Sequence, residues 1–389
     1  MKVNTIICEY NPFHNGHLYH IRDIKSHSDN PIVAVMSGNF TQRGDIAIVN
    51  KFTRADAAVR NGADLVLELP AVYACASAQT FARAGVEIAD ALGCTENLCF
   101  GAENADARLL GGIADAVSSP GFGALLRDEM KNGEYYPRAV QKVVRALCGD
   151  AAAEAVGEPN NILAVEYIRA LRKTNIGFYV TERAGAAHDE SAVRGGLASA
   201  SYIRGLILGG SGAESLIPDY NARDFEHPAN IKRLEPVILY RLRSMNAADF
   251  ALLPDVGEGL ENRIYEAARE ACSLEELFSR IKTKRYTLAR LRRIMICAVL
   301  GITKPMTRTP VPYLRALSFN STGASVMGEI KRRGTLPLIT NVADGVKTLG
   351  DEAKRIFDVD LFAGDIFSLA TDVPEPCGAD FRRKISVIE

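Results

Sequence analysis

The 389 residues contain no tryptophan and only six histidines, and their formal net charge is −1. A balance this near to neutral gives no global reason to expect nucleic acid or an acidic ligand as partner. The eight cysteines, Cys8, Cys75, Cys94, Cys99, Cys148, Cys272, Cys297 and Cys377, stand singly with no C-x-x-C pair. Such spacing argues against a disulfide framework or a structural zinc site and suits a reducing cytosol. No apolar run reaches the roughly 18 to 20 residues that span a bilayer. Met1-Lys2 leads straight into a strand-like segment, so a cytoplasmic protein without signal peptide or membrane partner is expected. Fixed-period repeats and low-complexity tracts are also missing.

What is present is 47% hydrophobic and long enough for two domains. Residues 3–8 (VNTIIC) form a β-branched run, a loop of Asn, Pro and His follows, and Leu18, Ile21 and Ile24 then recur at helical spacing. The alternation repeats. Strands are expected at Pro31–Met36, Asp64–Leu69, Asn97–Phe100 and Gly177–Thr181, with helices at Phe52–Asn61 (Thr53 as N-cap), Ala78–Leu92, Asp106–Val117, Pro137–Leu147, Asn161–Arg172 and Ser201–Leu208. This order predicts an α/β chain with a Rossmann-like parallel sheet covered by helices on both faces. Apolar periodicity lapses at Gly209–Gly212, which sets expected domains of 1–215 and 216–389, the second mainly helical. The last sixty residues are mixed in pattern.

The strongest chemical signal lies after the first strand, in Glu9-Tyr10-Asn11-Pro12-Phe13-His14-Asn15-Gly16-His17. A helix start offers unpaired amides and a partial positive charge, Gly16 lets a ligand approach the backbone, and two imidazoles can donate to phosphate oxygens. Held there, His14 and His17 would stabilise the charge that builds on a phosphate under attack. On the residues alone, His20 and His27 read as surface residues of the following helix. Ser37–Gly44 follows the second strand and faces the same sheet edge, with Gln42, Arg43 and Lys51 as candidate phosphate or acetate contacts. Arg183, after the Gly177–Thr181 strand, is suited to paired hydrogen bonds with a phosphate.

The segment His14-Asn15-Gly16-His17 resembles the H-x-G-H signature of the HIGH-type nucleotidyltransferase superfamily. The whole opening is similar to one branch of it, the bacterial tRNA(Met) cytidine acetate ligase family. Met36–Gly44, Lys51 with Arg54, Asp64–Pro70, Pro159–Leu163 and Thr283–Thr287 carry the likeness in the same order along nearly the full chain. The resemblance implies an enzyme that activates acetate with ATP, accompanied by magnesium, and acetylates the wobble cytidine of elongator tRNA(Met). It implies ATP contacts at Ile7, Cys8, Glu9, Tyr10, Asn11, Pro12, Phe13, His14, Asn15, Gly16, His17 and His20, and at Gly101, Asn161, Arg183, Ala184 and Ser199. Ser199-Ala200-Ser201-Tyr202-Ile203-Arg204 looks like the second superfamily signature, which makes Arg204 a catalytic candidate beside His14 and His17. The sequence departs from the family at Ala187, where an aromatic residue usually precedes the His-Asp pair, here His188-Asp189. No carboxylate cluster marks a metal cage, so no protein-bound metal is expected.

The near-zero net charge hides a strong local one. From Leu277 to Gly328 there are ten basic residues and no acidic one, so about +10 in 52 residues opposes about −11 elsewhere. Leu288, Leu291, Met295 and Val299 recur at helical spacing through this segment, which predicts a helix packed on one face and basic on the other. Lys282, Lys284, Arg285, Arg290, Arg292 and Arg293 are therefore the expected tRNA contacts. Two other activities fit parts of the pattern: a small-molecule adenylyltransferase, which leaves the basic segment unused, and an RNA-binding protein with an inactive nucleotide site.

Overall fold

The structure, a computed structural model, describes residues 1–183, 193, 195–257, 259–283 and 285–389. Five parallel strands form its centre: β1 Val3–Cys8, β2 Ile32–Ser37, β3 Leu65–Leu69, β4 Thr95–Ala102 and β5 Gly177–Glu182, in the spatial order β5-β4-β1-β2-β3. Every residue of β2 and β3 is buried, as expected of parallel strands covered on both faces. Side chains alternate between two cores. Ile6, Ala34, Met36 and Val66 pack with Ile21, Ile24, Phe52 and Val59 of the helices Asn15–His27 and Lys51–Arg60. Ile7, Val33, Val35, Leu65 and Leu67 join the larger core on the other face, with Phe81, Val86 and Ile88 of the helix Ala78–Ala91. The second helix is capped by Asn50, whose side chain accepts from Phe52 N and Thr53 N at 3.0 Å each, and not by Thr53.

The expected division at 215/216 is not a division of the sheet. Strand β6, Leu314–Phe319, lies antiparallel against β3, and β7 (Leu338–Ile339) and β8 (Ser386–Val387) both pair with β6. Without β6, the apolar β3 would present a row of unpaired backbone groups. The remainder of 216–389 is mainly helical, including Glu235–Arg243, Leu260–Glu270, Leu274–Ile281, Leu288–Leu300 and Asp351–Ser368. Among the described residues no single helix is long and apolar enough to cross a membrane.

Four buried charges join the two halves. Lys51 Nζ lies 2.8 Å from Glu68 Oε1 and 2.6 Å from Asp380 Oδ1, and Arg315 reaches Glu68 at 2.9 Å and pairs with Asp380 as well. Burying an ion is costly unless it is neutralised, and two cations facing two carboxylates satisfy that condition. Burial alone would raise the Asp380 carboxyl, but Lys51 and Arg315 hold it below its ordinary value. Beside them, Asp360 accepts from Tyr313 Oη at 2.6 Å and from Ala71 N at 2.7 Å, and burial followed by the Glu68 charge pushes it up to about 7.

Candidate active site

The strand order places a switch point between β1 and β4, because the chain runs to β2 and β3 on one side of β1 and returns on the other. Ligands of open α/β sheets bind at the carboxyl ends of the strands at such a point. The loop after β1, the loop after β2, the ends of β4 and β5, and the start of the helix Ala200–Leu208 bring the candidate residues to this edge.

His14 caps the helix Asn15–His27. Gly16 N donates to His14 Nδ1 at 3.0 Å, and His14 N donates to His17 Nδ1 at 3.2 Å. With each Nδ1 accepting, the proton of each neutral ring sits on Nε2. Burial first, then the positive charges of Arg183 and Arg204, hold His14 down to about 3. Burial likewise keeps His17 well below the usual imidazole value, helped by His14, Arg183 and His20. Both rings are neutral at pH 7, and each offers one N–H donor at a helix N-terminus.

The loop that presents these rings is tied from several sides. Tyr10 is buried with a left-handed backbone, φ 46°, and its ring packs edge-on against Phe13 and His17 with centroids 4.9 and 4.8 Å away. Asn11 Nδ2 donates to Ile46 O and its Oδ1 accepts from Ile48 N. Glu9 Oε1 accepts from Gln42 N at 2.7 Å, which couples the first loop to the second. Buried Arg54 donates to the carbonyls of Glu9, Ser37, Gly38 and Val49, so one guanidinium clamps both loops. Burial lowers its pKa to about 10, which leaves it charged. Arg204 Nη1 donates to Asn11 O at 2.8 Å, and Asn15 Nδ2 donates to Gly196 O and Ser215 O.

A family model described as HIGH Nucleotidyl Transferase matches residues 1–379. The chain belongs to that family. It also falls within the tRNA(Met) cytidine acetate ligases: it is 36% identical to the one from Caldanaerobacter subterraneus over 95% of this chain and 96% of the relative. It is 34% identical to the one from Acetivibrio thermocellus over the whole of both. The crystal structure of apo Thermotoga maritima TmcAL superposes with a TM-score of 0.91 at 30% identity, and that protein bound with alpha-thio ATP gives 0.89 at 29%, each covering all of both chains.

For this family member, the structure gathers most of the expected nucleotide residues. Ile7 and Cys8 end β1, Gly101 is the penultimate residue of β4 with Arg183 immediately beyond β5, and a Cβ on Gly101 would lie 3.2 Å from Arg183 Cγ. Ser199 caps its helix by accepting from Tyr202 N, and Arg204 lies one turn further along. His20 is not an ordinary surface residue: it is half-buried with its Nε2 atom buried and unpaired, and burial lowers its pKa to about 4. His27 instead lies exposed against Tyr179. Asn161 is committed internally, accepting from Asn104 N at 3.0 Å and donating to Ala155 O at 3.0 Å. It does not cap its helix; Glu103 does that work, accepting from Asn161 N at 2.9 Å. Ala184, Ala187, His188 and Asp189 lie outside the described residues, as does Lys284.

Two expectations need correction. Lys51 is 1% exposed inside the buried charge group and faces no ligand space. The basic segment is also less free than its charge count implies, because acidic partners reach it from outside. Arg293 pairs with Asp255 at 2.8 Å, Arg290 donates to Asp255 O at 2.7 Å, and Arg280 pairs with Glu270 and Glu276. Lys282, Arg285 and Arg292 are exposed. Arg54, which the sequence marks only through the family likeness, is the functional support that residue reasoning passed over; its signal was its place one turn into the helix after the second loop.

Proposed function

We propose that this chain is an ATP-dependent ligase that acetylates the wobble cytidine of elongator tRNA(Met). The observation that carries the chemistry is the pair of neutral imidazoles at one helix start, with Arg183 and Arg204 close enough for their charges to act on His14. The names of the full-length relatives support the choice of acetate and tRNA.

In the first step an acetate oxygen attacks the α-phosphorus of ATP, the bond to the β-phosphate oxygen breaks, and pyrophosphate leaves with the electron pair. The Nε2–H groups of His14 and His17 donate to α-phosphate oxygens whose charge grows in the transition state. Because burial keeps both rings neutral, neither takes nor gives a proton at this stage. Arg204 and Arg183 hold the departing phosphates. Magnesium would accompany ATP as part of the substrate and offset the charge of its phosphates.

In the second step the cytidine N4 amine attacks the acetyl carbonyl, AMP leaves with the C–O electron pair, and the nitrogen loses a proton. In this reading residues 1–215 carry the ATP and acetate chemistry, residues 216–389 help hold tRNA, and the enzyme works in the cytoplasm. Incubating the protein with ATP, labelled acetate and unmodified tRNA, then digesting to nucleosides, is expected to place label in N4-acetylcytidine. Label that never reaches cytidine, or transfer that proceeds without ATP, overturns the proposal.

A further inference from the structure

Of the nine described cations between Leu277 and Gly328, five are engaged by other groups of the fold. Arg280, Arg290 and Arg293 meet acidic residues or the Asp255 carbonyl, Lys304 Nζ donates to Ala251 O, and Arg315 sits in the buried charge group. Exposed Lys282, Arg285, Arg292 and Arg308 make no side-chain hydrogen bond or ion pair among the described residues. A basic stretch of sequence thus resolves into a few free charges, and their position decides what they can hold.

One of them sits beside the catalytic edge. Thr41 N donates to Asp45 O and Gly44 N to Thr41 O, which folds the loop after β2 into a tight turn with Arg43 near its tip. Gly44 adopts φ +70°, and a Cβ there would lie 2.2 Å from Arg293 N and 2.5 Å from Arg292 C. Only glycine permits this approach, so the turn lies directly on the backbone of the helix Leu288–Leu300. Arg43 and Arg292 therefore flank one seam. Arg43 is half-buried, has no hydrogen-bond or ion-pair partner among the described residues, and is near enough to Arg204 for its charge to act there. The seam links the nucleotide site to the helical half through two guanidiniums with no ion-pair partner among the described residues, a surface that suits closely spaced phosphates.

We propose that Arg43 and Arg292 grip the RNA backbone at this seam, on phosphates next to the nucleotide whose base enters the site; Arg308, whose neighbour Thr307 is held by Arg83 of the helix Ala78–Ala91, is the comparison site. This rests on the acetyl-transfer reading given above and assigns the acceptor a place within it. Guanidiniums on phosphates fix the position of the strand and leave the choice of sequence to other groups.

The test is binding of an unmodified elongator tRNA(Met) transcript to the full chain, measured across a salt series. R43Q and R292Q are each expected to raise Kd about five- to tenfold. The double variant should lower the slope of log K against log salt by about 1.4 to 1.8. R308Q should stay within about twofold of wild type. Neither the Arg43 nor the Arg292 side chain makes a hydrogen bond or ion pair among the described residues, so unfolding midpoints within about 2 °C of wild type will exclude misfolding as the cause. Wild-type Kd and slope in the double variant, or an R308Q defect equal to that of R292Q, overturns the seam. A wild-type protein that binds tRNA but never transfers acetate would instead defeat the functional reading, and the two failures are distinguishable in the same samples.

Discussion

The rings of His14 and His17 stack with centroids 3.7 Å apart and an interplanar angle of 27°, each Nδ1 occupied by a backbone amide. Two imidazoles this close cannot both carry a charge, and burial prevents either from doing so.

Replacing either His14 or His17 with alanine is expected to lower acetate-dependent exchange of pyrophosphate into ATP by about 100- to 1000-fold, the usual cost of one preorganised donor. Binding of tRNA should change little. A comparable loss in both assays would mean that the variant has lost its loop and not only a donor.

The same rings set a pH dependence of stability. The folded pKa of His14, about 3, lies below the value of about 6.5 for an unfolded histidine. The unfolded chain therefore binds more protons between these values, and the contribution is full above about pH 6.5 and is lost as pH falls toward 3. His20, held at about 4, acts in the same direction. Thermal unfolding midpoints should fall on acidification from pH 7 to pH 5, and His14→Asn should fall less steeply over that range. Parallel curves for the two proteins would refute this origin.

Lys51→Met leaves Glu68 and Asp380 facing Arg315 alone, so one buried carboxylate loses its counter-charge. A destabilisation of about 3 to 5 kcal/mol is expected in denaturant unfolding. At a temperature where the variant stays folded, the KM for ATP should remain near that of wild type. A rise in KM without loss of stability would restore Lys51 to the ligand site.

Gly44→Ala places a Cβ against the backbone of Arg292 and Arg293 and demands a left-handed conformation that alanine disfavours by about 1 to 2 kcal/mol. The turn must lift from the helix. Acetyl transfer to tRNA should fall further than pyrophosphate exchange, measured side by side on one preparation.

The five central strands and the histidine loop were legible in the sequence because their signals are local. Parallel buried strands read as short apolar runs, and the two histidines meet across a single helical turn. Strand β6 was not legible: it follows Pro310 and Pro312 and carries Arg315 as its second residue, and that charge makes sense only beside Glu68 and Asp380. Lys51 was misread for the same reason, since a lysine near a phosphate-type loop looks like a ligand until Asp380 is known to lie 2.6 Å away. Charge counting along the basic segment likewise misses Asp255, Glu270 and Glu276, which precede it in sequence and pair with Arg293 and Arg280 in space.

The antiparallel seat of β6 on β3 has a consequence for how this enzyme can be taken apart. Residues 1–215 read along the chain as a portable nucleotide module, yet cut there they would leave β3 as a raw flank beside Lys51 and Glu68, which would keep each other but lose Asp380 and Arg315. Such a fragment is expected to self-associate through that flank, so residues 1–215 cannot be lent to another scaffold unless a substitute strand with its own arginine travels with them.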